Sequence, residues 1–401
     1  MKQILFVDDE VKVLQGLGRM LRVMRHEWEM TFLDDPRQAV GLLQEKSFDA
    51  IVVDMRMPQM DGAELLEKAR ALKPGMARIV LSGHAEREAS MRSVGLAHQF
   101  LAKPCDADTL RNTVSRACEV RSLLHEAGLA DAVCRLGKLP SLPRLYQAIT
   151  AEMSREDVSL KRVAGIISQD LAMTAKVLQL VNSAFFGLGR RVANIEQAVS
   201  YLGIDVIRSL VVSNSAFAAF EASDLGFYKQ LWHHSSLTGV LAKSIAEQVS
   251  TDPVLQGEAL QAGMLHDIGA LILGARIPDK YREVRKFAES RQGTLAAREK
   301  EAFGCDHGRV GAYLMGLWGL SDRIVEAIAY HDQPRECAYR EFSPLTAVHA
   351  ASALILEAQG MGGLETELDT EYLAAAGCAD RVDQWRADAQ RILSSSGEHN
   401  D

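Results

Sequence analysis

The sequence predicts two halves of different class: an α/β doubly wound, five-stranded parallel sheet in the first 122 residues, then an all-α half. Three observations predict this. Five short apolar runs recur before residue 105, separated by stretches whose apolar residues keep helical spacing. Four of these runs end in polar or charged residues, at the sheet edge where open α/β sheets bind ligands and do chemistry. After residue 139 strand-like alternation disappears and helical periodicity continues.

Taken in order, Ile4-Leu5-Phe6-Val7 reads as a buried strand ending in Asp8-Asp9-Glu10, and Val13, Leu14, Leu17 and Leu21 mark the following helix. Met30-Thr31-Phe32-Leu33 is a second strand, with a helix over 37–44. Ile51-Val52-Val53 is a third strand, ending in Asp54, and a helix over 63–72 stops before Pro74-Gly75. Arg78-Ile79-Val80-Leu81 is a fourth, ending in Ser82-Gly83. Gln99-Phe100-Leu101-Ala102 is a fifth, ending in Lys103-Pro104, and Asp106 is a candidate N-cap for the last helix. Five strands alternating with five helices give the doubly wound sheet.

The chain has 401 residues, enough for two or three domains, and a net charge of −8. That charge disfavours broad binding to nucleic acid or anionic membranes, and no helix-turn-helix or basic helix is evident, so direct DNA binding is not expected. Six scattered cysteines without a C-x-x-C pair suit free thiols in a reducing cytosol. The N-terminus turns acidic too soon for a signal peptide, and no apolar run approaches the roughly 18 residues of a spanning helix. A cytoplasmic protein with no membrane association is the expectation.

The strand ends bring Asp8, Asp9, Asp54, Ser82 and Lys103 to one sheet edge. Clustered carboxylates raise one another's pKa unless a cation neutralises them, and Mg²⁺ with oxygen ligands answers that need. Asp54 then stays ionised and can attack a phosphoryl group, with Lys103 and the Ser82 hydroxyl stabilising its oxygens. Taken singly, Asp8 and Asp9 also read as a helix cap, Ser82 as a turn residue, Lys103 as a solvated charge and Phe100 as core filler.

The motifs FVDDE, VVDMRMPQMDG, VLSG and FLAKP, in that order and spacing, closely resemble the receiver domain of two-component response regulators, a flavodoxin-like fold. The resemblance implies that a sensor histidine kinase phosphorylates Asp54. It implies that Asp8 and Asp9 form the acidic pocket, with Asp9 the direct Mg²⁺ ligand beside Asp54 and the Arg56 backbone carbonyl. It makes Lys103 the pocket lysine, Ser82 and Phe100 the switch residues, and Lys103-Pro104 a cis bond.

Leu110, Val114, Ala117, Val120, Leu123 and Leu124 extend helical spacing past the α/β half. This stretch reads either as the last receiver helix or as a rod or short coiled-coil seam, which would make a homodimer. The divisions expected are 1–122 for the receiver, 123–138 for a helical connector, 139–345 for the helical domain, and 346–401 for C-terminal helices completing it plus a short tail. Helices are expected over 144–153, 160–168, 173–182, 195–201 and 206–220. Tyr372, Leu373, Val382, Trp385, Ala389, Ile392 and Leu393 suggest two closing helices, and the final SSSGEHND reads as disordered.

In the helical half, His234, His266-Asp267, His307, His331 and His349 all fall on apolar helical faces. Singly, each reads as a satisfied core histidine. Together with Asp267 they supply what a Zn²⁺, Fe or Mn site requires. His233, next to His234 on a helix, points elsewhere.

LPSLP, IISQDLAMTAKVLQLVNSAFFG, IEQAVSYLGIDVIRSLVV, LWHHS, GMLHDIGALIL, FGCDHGRVGAYLMGLWGL and AYHDQP resemble the HDOD family, a helical output module related to the HD phosphohydrolases. In those relatives the matching positions hold one or two metals that activate water for phosphoester hydrolysis. Ala270 stands where cyclic-dinucleotide phosphodiesterases of the HD-GYP type place a lysine. Their GYP signature is absent after His331, and His349 replaces the closing aspartate, which argues against a two-metal site. The reading is therefore a response regulator whose HDOD domain acts by binding a protein or nucleotide partner, with chemistry at Asp54 only. The alternative is a receiver-gated, metal-dependent phosphodiesterase.

Overall fold

The computed structural model describes residues 1–83, 96–120, 133, 139–141, 148–149, 151–153, 155, 157–182, 192, 194–212, 217–219, 225–289, 294–360 and 367–397. The first half runs β1 (Lys2–Val7), α1 (Val11–Met20), β2 (Trp28–Leu33), α2 (Pro36–Glu45), β3 (Ala50–Asp54), α3 (Gly62–Leu72), β4 (Ala77–Gly83), β5 (Gln99–Lys103) and α4 (Ala107–Val120). All strand pairs are parallel, in the order β2-β1-β3-β4-β5. Every residue of β3 is buried, which is why its sequence is a continuous apolar run rather than an alternating one.

Local chemistry starts the helices. The Asp35 carboxylate accepts from Arg37 N–H at 2.8 Å ahead of Pro36, and Asp61 accepts from Glu64 N–H at 2.9 Å. Asp106 caps α4 as expected, accepting from Thr109 N–H at 2.8 Å. The register sets Val7 beside Val53, Asp54 beside Leu81 and Gly83 beside Lys103, so the polar strand ends fall along one edge. The Lys103-Pro104 bond is cis, as expected. The helix expected between β4 and β5 and most of the connector lie outside the described residues.

The second half contains α5 (Leu160–Ile167), α6 (Leu171–Val181), α7 (Ile195–Val212), α8 (Leu225–Val249), α9 (Pro253–Leu265), α10 (Ile268–Arg276), α11 (Pro278–Glu289), α12 (Leu295–Phe303), α13 (His307–Leu317), α14 (Asp322–Tyr330), α15 (Pro344–Ala358), α16 (Thr370–Ala375) and α17 (Val382–Gly397). Helix α8 packs on α9 and α15, and α13 packs on α10 and α14. This half is almost wholly helical, as expected, and adds one short parallel pair, β6 (Leu139–Ser141) with β7 (Phe217–Ala219). Gly203, at φ 76°, breaks α7 between the two helices expected there, and one correction is needed: the second of them cannot reach residue 220, because Phe217–Ala219 is a strand. The closing helices are present, and α17 runs to Gly397, so the first residues of the expected disordered tail are helical.

The halves touch through α4, β5, α6 and α13. Val120 packs on Gly316, and Arg116 pairs with Asp322 at 2.7 Å and donates to the Leu320 carbonyl. The Gln179 amide donates to the His98 carbonyl at 2.9 Å. Lys176 is buried, lies 4.0 Å over the Trp318 ring and donates to Gln179 Oε1 at 3.1 Å. Burial pulls the Lys176 ammonium from the usual 10.5 to about 7, helped by the nearby Arg78 charge.

Unfolded, this lysine stays protonated up to its ordinary pKa, whereas folded it loses its proton near neutrality. Below about pH 7 the folded state therefore carries the full cost of a buried charge, and that cost is relieved as pH rises toward 10.5. Denaturant titrations of wild type and Lys176→Met across this window are expected to show the stability difference moving in favour of wild type as pH rises. A difference that does not change with pH would refute the assignment.

Candidate functional site

In the first half, β1, β3 and β5 deliver Asp8, Asp54 and Lys103 into direct contact. The Lys103 ammonium donates to Asp8 Oδ2 at 2.6 Å and to Asp54 Oδ1. The second Asp54 oxygen accepts from Arg56 N–H at 2.7 Å, and Asp8 Oδ1 accepts from Glu10 N–H at 3.0 Å. Burial raises the Asp54 carboxyl above its ordinary range, and the hydrogen bond from Lys103 opposes that rise. Asp9 is half-buried beside this group, while Ser82 and Phe100 are buried. The arrangement presents an acidic side chain, already polarised by an ammonium, at the mouth of the sheet edge.

In the second half, helix ends position the histidines. His266 and Asp267 occupy the junction of α9 and α10, His307 opens α13, His331 closes α14, and His234 lies within α8. Close backbone approach makes this convergence possible. A Cβ on Gly269 would stand 1.8 Å from the His307 carbonyl oxygen, and one on Gly263 would stand 2.7 Å from Gly239 Cα. Only glycine allows α10 to meet α13, and α9 to meet α8, so closely.

Four imidazole Nε2 atoms point at one carboxylate. Asp267 Oδ2 faces His266 Nε2 at 3.2 Å and His234 Nε2 at 4.0 Å. Asp267 Oδ1 faces His307 Nε2 at 3.3 Å and His331 Nε2 at 3.6 Å. The ring orientations are fixed from behind. His266 Nδ1 donates to the Gly263 carbonyl at 2.7 Å and His331 Nδ1 to the Ile328 carbonyl at 2.9 Å, which leaves each Nε2 lone pair facing inward. His307 Nδ1 lies 2.6 Å from Glu299 Oε2, which also accepts the His307 backbone N–H at 2.7 Å. Tyr281 donates to the other Glu299 oxygen at 2.9 Å.

Within each pair the Nε2 atoms are 3.3 Å apart, His234 against His266 and His307 against His331. Facing lone pairs repel unless a proton or a metal ion lies between them. His234–His266–Asp267 and Asp267–His307–His331 are each compact enough, and buried enough, to hold a metal ion. Burial pulls His266 down to about 3. Burial also works to lower His307, but Glu299 and Asp267 carry it well above its usual value, so a proton competes with a metal there. The donor set fits a borderline metal such as Zn²⁺, Fe or Mn.

His349 is a correction. Its Nδ1 bonds the His331 carbonyl at 2.7 Å and its Nε2 accepts from Asp369 N–H at 2.9 Å, so neither nitrogen is available to a metal. Asp332 instead reaches the cluster, 3.5 Å from His307 Nε2 and 3.6 Å from His331 Nε2. Asp267, already a candidate ligand, offers one oxygen to each pair of imidazoles. Sequence reasoning missed Asp332, Glu299 and Tyr281. The acidic residue directly after His331 was a usable signal for Asp332.

Comparison with known proteins follows the same division. A response regulator receiver domain matches residues 4–115, and an HDOD domain matches residues 139–334. The chain is a receiver–HDOD response regulator. An uncharacterized protein of Treponema pallidum is 27% identical to the regulator over 60% of this chain and 46% of its own length. The C4-dicarboxylate transport transcriptional regulatory protein DctD of Pseudomonas aeruginosa is 35% identical over 31% of this chain and 27% of its own length. The crystal structure of the MmoQ response regulator from Methylococcus capsulatus is 25% identical, covers 63% of this chain and 98% of that one, and gives a TM-score of 0.48. The regulator thus spans less than half the length of these two curated relatives. A receiver domain implies Mg²⁺ binding and a histidine kinase as phosphodonor. No helix among the described residues is long and apolar enough to cross a membrane.

The tight backbone crossing yields a test. Gly269→Ala is expected to lower stability by about 1–3 kcal/mol, the range for overpacking a dense interior. Chemical denaturation measures this, and an unchanged midpoint would show that α10 and α13 are not so close.

Proposed function

We propose that phosphorylation of Asp54 by a histidine kinase controls an HDOD domain whose histidine cluster holds two metal ions, and that this domain acts by binding a protein or nucleotide partner. The observation that carries the reading is the pair of Asp267 oxygens, each facing its own pair of Nε2 atoms. His234, His266 and Asp267 would hold one ion, and Asp267, His307 and His331 the other, with Asp332 at the edge.

In the receiver, an Asp54 oxygen attacks the phosphorus of a phosphohistidine, the P–N bond breaks, and the histidine leaves with its electron pair. Lys103 stays within reach of the transferred group, and the Arg56 backbone N–H orients the carboxylate. Asp8, Asp9, Asp54 and the Arg56 carbonyl are the proposed Mg²⁺ ligands, with Ser82 and Phe100 as the switch. The path to the helical domain is short. Strand β5 carries Lys103 at one end, and Gln99 at the other meets Gly319 of the helical half. Five strand residues span about 15 Å. A rearrangement at the pocket is therefore transmitted along a single strand to the domain contact.

A second reading is a receiver-gated phosphodiesterase, and the bridging position of Asp267 favours it. Bound metal ions would polarise a phosphoester and activate water for its hydrolysis. Two features favour binding without turnover: His266 and His331 are almost fully enclosed, and Ala270 supplies no cation for substrate phosphate.

Asp54→Asn is expected to abolish labelling by acetyl phosphate, and undiminished labelling would sink the phospho-acceptor assignment. Elemental analysis of the purified protein is expected to find metal that the double variant His266→Ala/His331→Ala loses. A cyclic-dinucleotide turnover assay with added Mn²⁺ or Fe²⁺ separates the readings: hydrolysis that disappears in Asp267→Ala would replace the binding reading with the enzymatic one.

A further inference from the structure

The two donor sets share Asp267 and are otherwise built differently. Around His307 and His331 the negative charge is concentrated. Asp267 Oδ1 and both Asp332 oxygens face their Nε2 atoms, and Glu299 stands behind His307. Around His234 and His266, among the described residues, the carboxylate in contact is the other oxygen of Asp267.

The backing of the ligands differs in the same direction. Glu299 has no solvent exposure and is held by the Tyr281 hydroxyl on one oxygen and the His307 backbone N–H on the other. A carboxylate behind an imidazole fixes its tautomer and raises the basicity of the ring nitrogen facing the metal. His266 is backed by a neutral carbonyl. His234 has a buried Nδ1 with no hydrogen-bond partner among the described residues, and its Nε2 is 3.2 Å from the Ser352 hydroxyl, a contact a metal ion must displace. One factor opposes this order: His307 begins α13, where the helix dipole disfavours a cation. That effect belongs to a single helix end, and the added carboxylates outweigh it.

We infer that the two metal positions are unequal: Asp267, His307, His331 and Asp332 form a tight site set by Glu299, and His234 with His266 and Asp267 forms a weaker, exchangeable one. The inference rests on the two-metal reading above. It makes Glu299 and Tyr281 positioning residues that act on the metal through His307. It also means the centre fills in order, so the state of the second position follows free metal concentration while the first stays occupied.

The test is a Zn²⁺ titration of the full chain against a chromophoric chelator, after metal has been stripped. The double variant His266→Ala/His331→Ala gives the baseline for zinc taken up by the receiver. Wild type is expected to bind in two resolved steps. His234→Ala should remove the weaker step and keep the tight one. Glu299→Gln keeps the shape but not the charge and should weaken the tight step by about 10–100-fold, leaving the other unchanged. Tyr281→Phe, which removes one hydroxyl only, should weaken the same step by less. It covers the case in which Glu299→Gln fails to fold, as judged by circular dichroism. Two equal steps in wild type, or a tight step indifferent to both Glu299→Gln and Tyr281→Phe, would overturn the inference while leaving the metal reading standing. Wild type that binds no more zinc than the baseline variant would overturn the metal reading itself.

Discussion

Asp267 is the constraint on which the helical half depends. A single carboxylate, carried at the junction of two helices, is asked to satisfy four imidazoles from four other positions in the chain. Burial pushes its pKa up, but the surrounding imidazoles hold it well below the usual carboxylate range, so it remains an anion in the core. An anion of that kind is tolerated in a low-dielectric interior only when positive charge meets it. The glycines at the helix crossings serve the same end, because helices with side chains at Gly269 or Gly263 would hold the ligands too far apart.

The receiver meets a similar electrostatic problem with different means. Asp8 and Asp54 are buried at adjacent strand ends, and there an ammonium from the fifth strand sits between them. One half of the molecule thus uses a lysine to balance clustered carboxylates and the other uses histidines. The receiver pocket is open at the edge of a sheet. The histidine cluster is closed inside a helical bundle, with His234, Asp267 and Asp332 as its least enclosed members.

The receiver was largely legible in the sequence because parallel strands announce themselves as continuous apolar runs and end in the residues that do the chemistry. The order Asp8, Asp54, Ser82, Lys103 along the chain maps directly onto one sheet edge. The helical half was legible only in part. His234, His266, His307 and His331 were visible as histidines on apolar faces, yet His349 carries the same mark and is engaged by backbone groups instead. Periodicity reports that a side chain faces inward and says nothing of what it meets there. Glu299 looked like any charged residue of a polar helix, and its role arises from contact with Tyr281 and His307 across the fold. Strands of three residues, such as Leu139–Ser141, are too short for any period to register.

The pairing of Leu139–Ser141 with Phe217–Ala219 has a consequence during synthesis. The receiver is complete once α4 has emerged, and it can fold while the ribosome continues. The entry strand of the helical half, by contrast, waits for a partner that begins at Phe217, beyond α5, α6 and α7. At about 5–20 residues per second, that delay is on the order of ten seconds. Throughout it, an unpaired strand edge and the apolar faces of α5 to α7 lie beside an already finished neighbour, which makes the nascent receiver the first surface those helices meet.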